Sequence, residues 1–90
     1  MFAEHVTHLL GLIEDVAFRK LDERLAALLL AKGTSFRTTH QTLADELGST
    51  REVISRILEG FEAKGFVRLK RGQIYVLNEV ALQEIAGFSD

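Results

Sequence analysis

Residues 40–57, HQTLADELGSTREVISRI, carry the clearest structural pattern in this chain of 90 residues. Apolar or small side chains recur there at intervals of three and four, the spacing that lines one face of an α-helix. A glycine divides the stretch, and glycine readily takes the left-handed conformation that ends many helices. The pattern predicts two helices joined by a sharp turn, with these positions at their junction: Leu43, Ala44, Leu47, Gly48, Ile54 and Ile57.

Two capping boxes mark the expected starts of these helices. Thr38 stands three residues before Gln41, and Ser49 stands three residues before Glu52. In such a box, the hydroxyl accepts a hydrogen bond from the first helical turn, and the later side chain bonds back to the cap. We expect the second helix to run for three to four turns and to end at Gly65.

The segment before this pair predicts a helix and a short strand. Asp22 is expected to cap a helix that ends near Gly33, after a hinge at residues 20–21. Residues 34–38 are short, with one large apolar side chain, and predict one small strand.

The segment after the pair predicts a β-hairpin and a last helix. Residues 66–69 and 74–77 are β-prone, and Gly72 between them can supply a positive φ angle. Asn78 is expected to cap a short final helix. The predicted class is therefore mainly α with a small β-hairpin wing, a winged helix-turn-helix, whose second helix enters the major groove of DNA.

The second helix separates into two faces on a wheel of about 100° per residue. Its apolar residues fall on one side and are expected to pack on the domain. Arg51, Glu52, Ser55 and Arg56 fall on the other side, near the end that meets base edges in helix-turn-helix proteins. Arginine can bridge O6 and N7 of guanine, and glutamate can accept from N4 of cytosine. These side chains are therefore candidate base contacts.

Other polar residues are candidates for contacts with the DNA backbone. The start of the first short helix can donate to a phosphate, aided by the helix N-terminus, and cations at the hairpin tip can hold phosphates. The complete set of predicted DNA-contacting residues is Thr39, His40, Gln41, Thr50, Arg51, Glu52, Ser55, Arg56, Lys70 and Arg71.

Simpler structural roles remain open for some of these residues. Glu52 can serve only to start its helix, or it can form a surface pair with Arg56 one turn later. The basic hairpin tip can serve solubility alone. Arg51 differs, because a cation at a helix N-terminus opposes the macrodipole unless an anion compensates it. This favours a functional role for Arg51.

Charge and composition limit the classes of function. The formal net charge of -2 argues against a general polyanion binder, but residues 51–72 hold six Lys or Arg against three Glu. The positive charge is thus concentrated on the second helix and the hairpin. The longest apolar run, residues 25–31, is too short to span a bilayer, and no secretory leader opens the chain. We expect a cytoplasmic protein without a membrane partner.

No set of residues for catalysis or metal binding can be assembled. The sequence offers no paired carboxylates, nucleophile with a base, or glycine loop for phosphates, so no enzyme activity is expected. It contains no cysteine, which excludes disulfides, thiolate metal sites and a cysteine nucleophile. His5 and His8 lie three residues apart, but further ligands are missing. Neither a metal nor a cofactor is expected.

The stretch TTHQTLADELGSTREVISRILEGFEAKGFVRLKRGQIYVLN resembles the DNA-binding domain of the Crp/Fnr family of bacterial transcription regulators, most specifically in REVISR. The preceding AFRKLDERLAALLL is similar to the family's hinge and following helix. Residues 2–19 resemble the end of its long dimerisation helix. The resemblance implies that residues 1–20 form the end of the dimerisation helix and the hinge, and residues 21–90 the winged helix-turn-helix domain.

The resemblance also implies residue roles. Arg51, Glu52 and Arg56 match the base-contacting positions, while residues 39–41 match backbone-contacting positions, with His40 replacing an arginine of the best-known member. The β-barrel that normally precedes the dimerisation helix is missing, so the chain is either an excised fragment or a truncated relative.

A heptad pattern at the start of the chain predicts a dimer. Its apolar spacing suits either a dimer interface or the core face of an ordinary amphipathic helix. The predicted interface residues are Phe2, Val6, Leu9 and Ile13.

The sequence thus predicts a sequence-specific double-stranded DNA-binding domain of a Crp/Fnr-like regulator, acting as a homodimer on a near-palindromic site. RNA polymerase is a further partner that the resemblance implies. The alternative is a winged-helix module whose exposed helix face binds a partner protein.

Overall fold

The computed structural model describes residues 20–87 of the chain. Four helices surround a small antiparallel sheet, which confirms the predicted mainly α fold with a hairpin wing. In chain order, the elements are α1 (20–32), β1 (Ser35–Arg37), α2 (His40–Leu47), α3 (Arg51–Ala63), β2 (Val67–Lys70), β3 (Gln73–Val76) and α4 (Glu79–Ala86).

The turn between α2 and α3 forms as predicted. Gly48 takes the left-handed conformation, with φ 68° and ψ 35°, and its backbone N–H donates to the carbonyls at the end of α2. The N–H of Ser49 donates to the Ala44 carbonyl over 2.8 Å, which closes the turn. All the apolar positions predicted for this junction are buried, so local spacing alone identified the bihelical unit correctly.

Both predicted capping boxes are wrong by one residue. The cap of α2 is Thr39, whose Oγ1 accepts from the Thr42 N–H over 3.0 Å. The cap of α3 is Thr50, whose Oγ1 accepts from the Val53 N–H over 3.4 Å. Each helix start offers two consecutive hydroxyl residues, and the second of each pair has the extended backbone that an N-cap requires.

The predicted cap at Asp22 is also wrong, because Lys20 and Leu21 before it are already helical. An N-cap residue has a non-helical backbone, whereas Asp22 lies within α1. The predicted hinge at residues 20–21 is therefore not present as a break in the described helix. The predicted end of this helix near Gly33 is confirmed.

One contiguous core joins all four helices to the sheet. Its members are apolar side chains with little or no solvent exposure, and they come from both ends of the described segment. They are Leu25, Ala26, Leu29, Leu43, Ala44, Leu47, Ile54, Ile57, Leu58, Phe61, Val67, Ile74 and Leu82. Burial of apolar area, at roughly 25 cal/mol per Å², is the main force that holds α3 against the rest of the domain.

Two polar contacts tie α1 to α2. Arg24 donates from Nη2 to the carbonyl of Leu47, at the end of α2, over 3.2 Å. Lys32 lies with its Nζ 3.3 Å from Oε1 of Glu46. A cation at a helix C-terminus also interacts favourably with the macrodipole, so Arg24 supports α2 at the end opposite to its cap.

The sheet has strand order β1-β3-β2 with all pairs antiparallel. The predicted hairpin is present as β2 and β3, hereafter the wing, and Gly72 in its turn has φ 72°. The predicted single strand is present as β1, and it pairs with β3 in a register that places Phe36 opposite Ile74. This pairing was not predicted from the sequence, and it extends the wing into a three-stranded sheet.

Backbone and side-chain hydrogen bonds position the wing beside the two helix starts. The N–H of Thr38 donates to the Gly72 carbonyl over 3.2 Å, which links the entry of α2 to the wing turn. Oε2 of Glu62 in α3 accepts from the Leu69 N–H over 2.8 Å. The wing therefore lies close to both α2 and α3.

The final helix begins where the sequence predicted. Oδ1 of Asn78 accepts from the Ala81 N–H over 3.0 Å, as an N-cap does. In the described part of the chain, no helix is long and apolar enough to cross a membrane.

Candidate nucleic-acid interface

The starts of α2 and α3 and the turn of the wing surround an open cleft of about 540 Å³. The tight turn at Gly48 and the Thr38-to-Gly72 hydrogen bond bring these three elements together. Seven of the ten predicted DNA-contacting residues line this cleft, and they come from all three elements. They are Thr39, His40, Gln41, Arg51, Ser55, Lys70 and Arg71.

The remaining three predicted residues lie beside the cleft. Thr50 caps α3 and does not line the cleft, so its hydroxyl has a structural role. Glu52 and Arg56 are exposed on α3. Within residues 20–87, no salt bridge joins Glu52 to Arg56, so the predicted surface pair is not formed. Both charged groups are therefore accessible to a ligand.

The cleft is electropositive. Arg51, Lys70 and Arg71 are exposed around it, and none of the residues that line it carries a carboxylate. The first turn of α2 holds no acidic residue, so the positive end of its macrodipole is not compensated from within the helix. Anionic groups are stabilised at such helix starts by backbone N–H groups and the dipole together. The cleft suits a phosphate backbone.

Arg51 and Glu52 share the first turn of α3 with opposite effects on the helix. The carboxylate of Glu52 stabilises the N-terminus, whereas the guanidinium of Arg51 opposes the dipole. With Thr50 as the cap, Glu52 is the second helical residue and does not occupy the third position that a capping box requires. Its charge alone, without the reciprocal bond, supports the helix start.

The three residues predicted for backbone contact already have protein partners. His40 places Nδ1 2.7 Å from Oγ of Ser55, which connects α2 to α3. Gln41 donates from Nε2 to Oδ1 of Asp45 over 2.9 Å, so part of its donor capacity is used within α2. Thr39 uses its hydroxyl oxygen in the cap. The residues predicted for backbone contact are thus held in defined orientations before any ligand arrives.

Two cations on the solvent face of the sheet were not among the predicted DNA-contacting residues, although Arg68 was counted in the basic segment 51–72. Arg37 is in register with Gln73, which is in turn opposite Lys70, and Arg68 is opposite Tyr75. Arg37 and Arg68 are both exposed. The alternation of polar and apolar residues in VRLK of β2 contained this signal for Arg68, whereas the pairing of β1 with β3 was needed to bring Arg37 onto the same face. Arg37 and Arg68 therefore extend the basic surface beyond the wing turn.

The dimer residues Phe2, Val6, Leu9 and Ile13 lie outside the described residues. Among residues 20–87, no group of three or more His, Asp or Glu side chains is arranged to hold a metal ion.

The sequence matches the family model of the Crp-like helix-turn-helix domain over residues 23–85. One curated relative is the cyclic AMP receptor protein of Thermus thermophilus, 34% identical over 76 residues that cover 79% of this chain and 35% of that protein. This chain spans less than half the length of the curated relatives it matches. The family match supports a role in DNA binding.

Solved structures agree with this match. The catabolite activator protein of Thermus thermophilus superposes with a TM-score of 0.83 at 29% identity, covering 97% of this chain and 43% of that one. A Crp/Fnr-family regulator from Eubacterium rectale superposes with a TM-score of 0.72 at 37% identity, covering 96% of this chain and 42% of that one. These proteins share the overall fold of this domain.

Proposed function

Because this chain belongs to the family of Crp-like helix-turn-helix domains, we propose that it is a sequence-specific double-stranded DNA-binding domain of a Crp/Fnr-like transcription regulator. The observation that carries the proposal is the basic cleft, free of carboxylates, between the starts of α2 and α3 and the wing. No catalytic role and no cofactor form part of the proposal.

The proposed contacts divide into base and backbone contacts. Arg51, Glu52 and Arg56 are exposed on α3 and meet base edges in the major groove. Lys70 and Arg71 hold phosphates from the wing, and the start of α2 holds a further phosphate. Backbone contacts supply most of the affinity, whereas base contacts supply the sequence preference.

We propose that two copies bind together on a near-palindromic site. In this arrangement residues 1–20 end the dimerisation helix and residues 21–90 form the DNA-binding domain. Two-fold symmetry spaces the two α3 helices by about one DNA turn, roughly 34–36 Å. The proposal includes a cytoplasmic location, because the bacterial chromosome lies there, and RNA polymerase as a further partner of the complete regulator.

Selection of bound duplexes from a random DNA library, near physiological salt, tests the proposal. We expect recovery of two short, two-fold-related half-sites that contain G·C pairs. Recovery of no motif by covalently linked pairs of chains would contradict sequence-specific binding.

The alternative is a module that binds a partner protein through the exposed face of α3. Two large apolar side chains outside α3, Leu77 after β3 and Val80 in α4, are 59% and 63% exposed and offer additional apolar surface to a partner protein. Salt titration separates the two functions, because neutralisation of several phosphates makes DNA affinity fall steeply with salt. A protein-binding module would show little affinity for DNA at any salt concentration.

A further inference from the structure

His40 and Ser55 form the side-chain hydrogen bond that joins α2 to α3 in the described part of the chain. The Nδ1 to Oγ distance is 2.7 Å, and both residues are half-buried. His40 is the first residue of α2, while Ser55 lies on the second turn of α3, between the positions of Arg51 and Arg56. The bond therefore links a group at the phosphate-facing helix start to a group on the base-facing helix.

We propose that His40 is a positioning residue that sets whether the Ser55 hydroxyl donates to a DNA base or accepts from one. The inference rests on the proposed function, and it names the regulation of the same site: protonation of His40 changes the base that Ser55 prefers.

The chemistry of imidazole and hydroxyl groups gives two states. When neutral His40 carries its hydrogen on Nε2, Nδ1 accepts the Ser55 hydroxyl hydrogen, and Oγ is left to accept from a base. When His40 is protonated, Nδ1–H donates to Oγ, and the hydroxyl hydrogen becomes free to donate to a base. The first state suits the amino group of adenine or cytosine, and the second suits the acceptors of guanine or thymine.

The surroundings of the pair leave Nε2 of His40 for DNA. The charged residues that line the cleft with the pair are Arg51 on α3 and Lys70 and Arg71 on the wing. Along α3, Glu52 and Glu59 lie one helical turn on either side of Ser55. On α2, Asp45 accepts from Gln41 and Glu46 is paired with Lys32. No residue lining the cleft offers a carboxylate to the ring, so a DNA phosphate is the acceptor available to Nε2–H. Of the two neutral tautomers of the ring, that contact selects the one with hydrogen on Nε2, whose Nδ1 accepts from Ser55.

The test measures the base preference of the unmodified chain at two pH values. Competition among duplexes that differ at single positions is run at about pH 8 and about pH 5.5, on either side of the range where imidazole titrates. The position of interest is the one whose preference disappears in Ser55→Ala. We expect its preference to shift by about fivefold from adenine or cytosine toward guanine or thymine on acidification, as expected for a change in one base contact.

Three variants define the source of the shift. His40→Arg can only donate and should keep the low-pH preference at both pH values. Ser55→Ala should show no preference at that position at either pH. Arg68→Ala is the matched control, because Arg68 is an exposed cation of the sheet that does not line the cleft, so this variant should retain the full shift. Circular dichroism checks that each variant is folded.

The possible failures are distinguishable. Sequence-specific binding with an identical base preference at both pH values would overturn this inference and leave the proposed function intact. Persistence of the shift in His40→Arg would also overturn it, because another group would then be responsible. Absence of sequence-specific binding at both pH values would overturn the proposed function and the inference together.

Discussion

At the scale of single residues, Arg51 gives the sharpest test of base contact. Its guanidinium is exposed in the first turn of α3, where it opposes the macrodipole without a carboxylate partner in the described segment. Arg51→Ala should relax the preference at one base pair by about 1–3 kcal/mol, because a bidentate contact to guanine is lost. Competition binding with singly substituted duplexes measures this effect.

Lys70→Ala is the matched control for Arg51→Ala, because Lys70 is an exposed cation on the same cleft. Loss of a phosphate contact should weaken binding to all sequences alike and reduce the slope of log affinity against log salt by about one. Equal losses from both variants, independent of sequence, would show that the assigned roles are wrong.

The environment of the Asp22 carboxyl should make the unfolding free energy depend on pH. Burial raises the pKa of its carboxyl above the ordinary value of 3.8, Lys64 opposes this rise, and Glu23 adds to it. The folded state therefore holds the proton more tightly, so stability is gained as pH falls through the folded pKa toward 3.8. Asp22→Asn should stabilise the domain near pH 7, because the amide avoids the cost of burying a charge.

Urea unfolding at about pH 7 and about pH 4 measures the effect of Asp22→Asn. The increase in unfolding free energy of Asp22→Asn over the unmodified chain should be smaller at the lower pH. Glu59→Gln, at an exposed position on α3, is the control and should change stability little at either pH. A gain that grows on acidification would contradict the assigned direction of the pKa shift.

At the scale of elements, the start of α3 depends on which hydroxyl caps it. Thr50 Oγ1 accepts from the Val53 N–H, whereas the Ser49 backbone N–H closes the turn with Ala44. Thr50→Ala should cost about 0.5–2 kcal/mol of unfolding free energy, because an N-cap hydrogen bond is lost. Ser49→Ala should cost much less, and urea unfolding compares the two.

This prediction also concerns the proposed contact of α3 with DNA. Fraying of the first turn in Thr50→Ala would loosen Arg51 and Glu52, so DNA affinity should fall together with stability. If Ser49→Ala lowers the unfolding free energy more than Thr50→Ala does, Ser49 is the cap, as the sequence pattern favoured, and this prediction is wrong.

At the scale of the whole molecule, we expect concentration-dependent dimerisation. The heptad pattern, which continues from the predicted interface residues Phe2, Val6, Leu9 and Ile13 to Val16, covers little more than two heptads, and so short an interface is weak. Analytical ultracentrifugation should show a monomer that converts to dimer as concentration rises. Leu9→Lys should suppress the dimer by placing a charge in the apolar stripe, while Thr7→Lys, off that stripe, should not. Only monomer at high micromolar concentration would contradict the proposal.

Features set by neighbouring residues were predictable. The junction of α2 and α3 follows from apolar spacing and Gly48, and the wing follows from two β-prone segments around Gly72. Asn78 caps α4 as expected. The exact caps were not predictable, because each of the two starts offers adjacent hydroxyl residues, and backbone geometry selects between them. Asp22 failed as a cap because a favourable cap residue can also lie inside a continuous helix.

Most of the candidate site was likewise predictable from the helical-wheel positions of α3 and the charges of the wing, since both are properties of short segments. The basic solvent face of the sheet was not predictable, because Arg37 joins it only through the pairing of β1 with β3, which are distant in the sequence. The same holds for the His40 to Ser55 bond, whose members are 15 residues apart.

Local periodicity and turn chemistry therefore established the fold class, the exposed polar face of α3 and the concentration of basic charge, because each depends on residues within a few positions of one another. Packing between distant segments established the cleft, its freedom from carboxylates, the third strand and the partner of His40. Such contacts form only when the core of α1, α2, α3 and the sheet closes, since burial of that core fixes where each element lies.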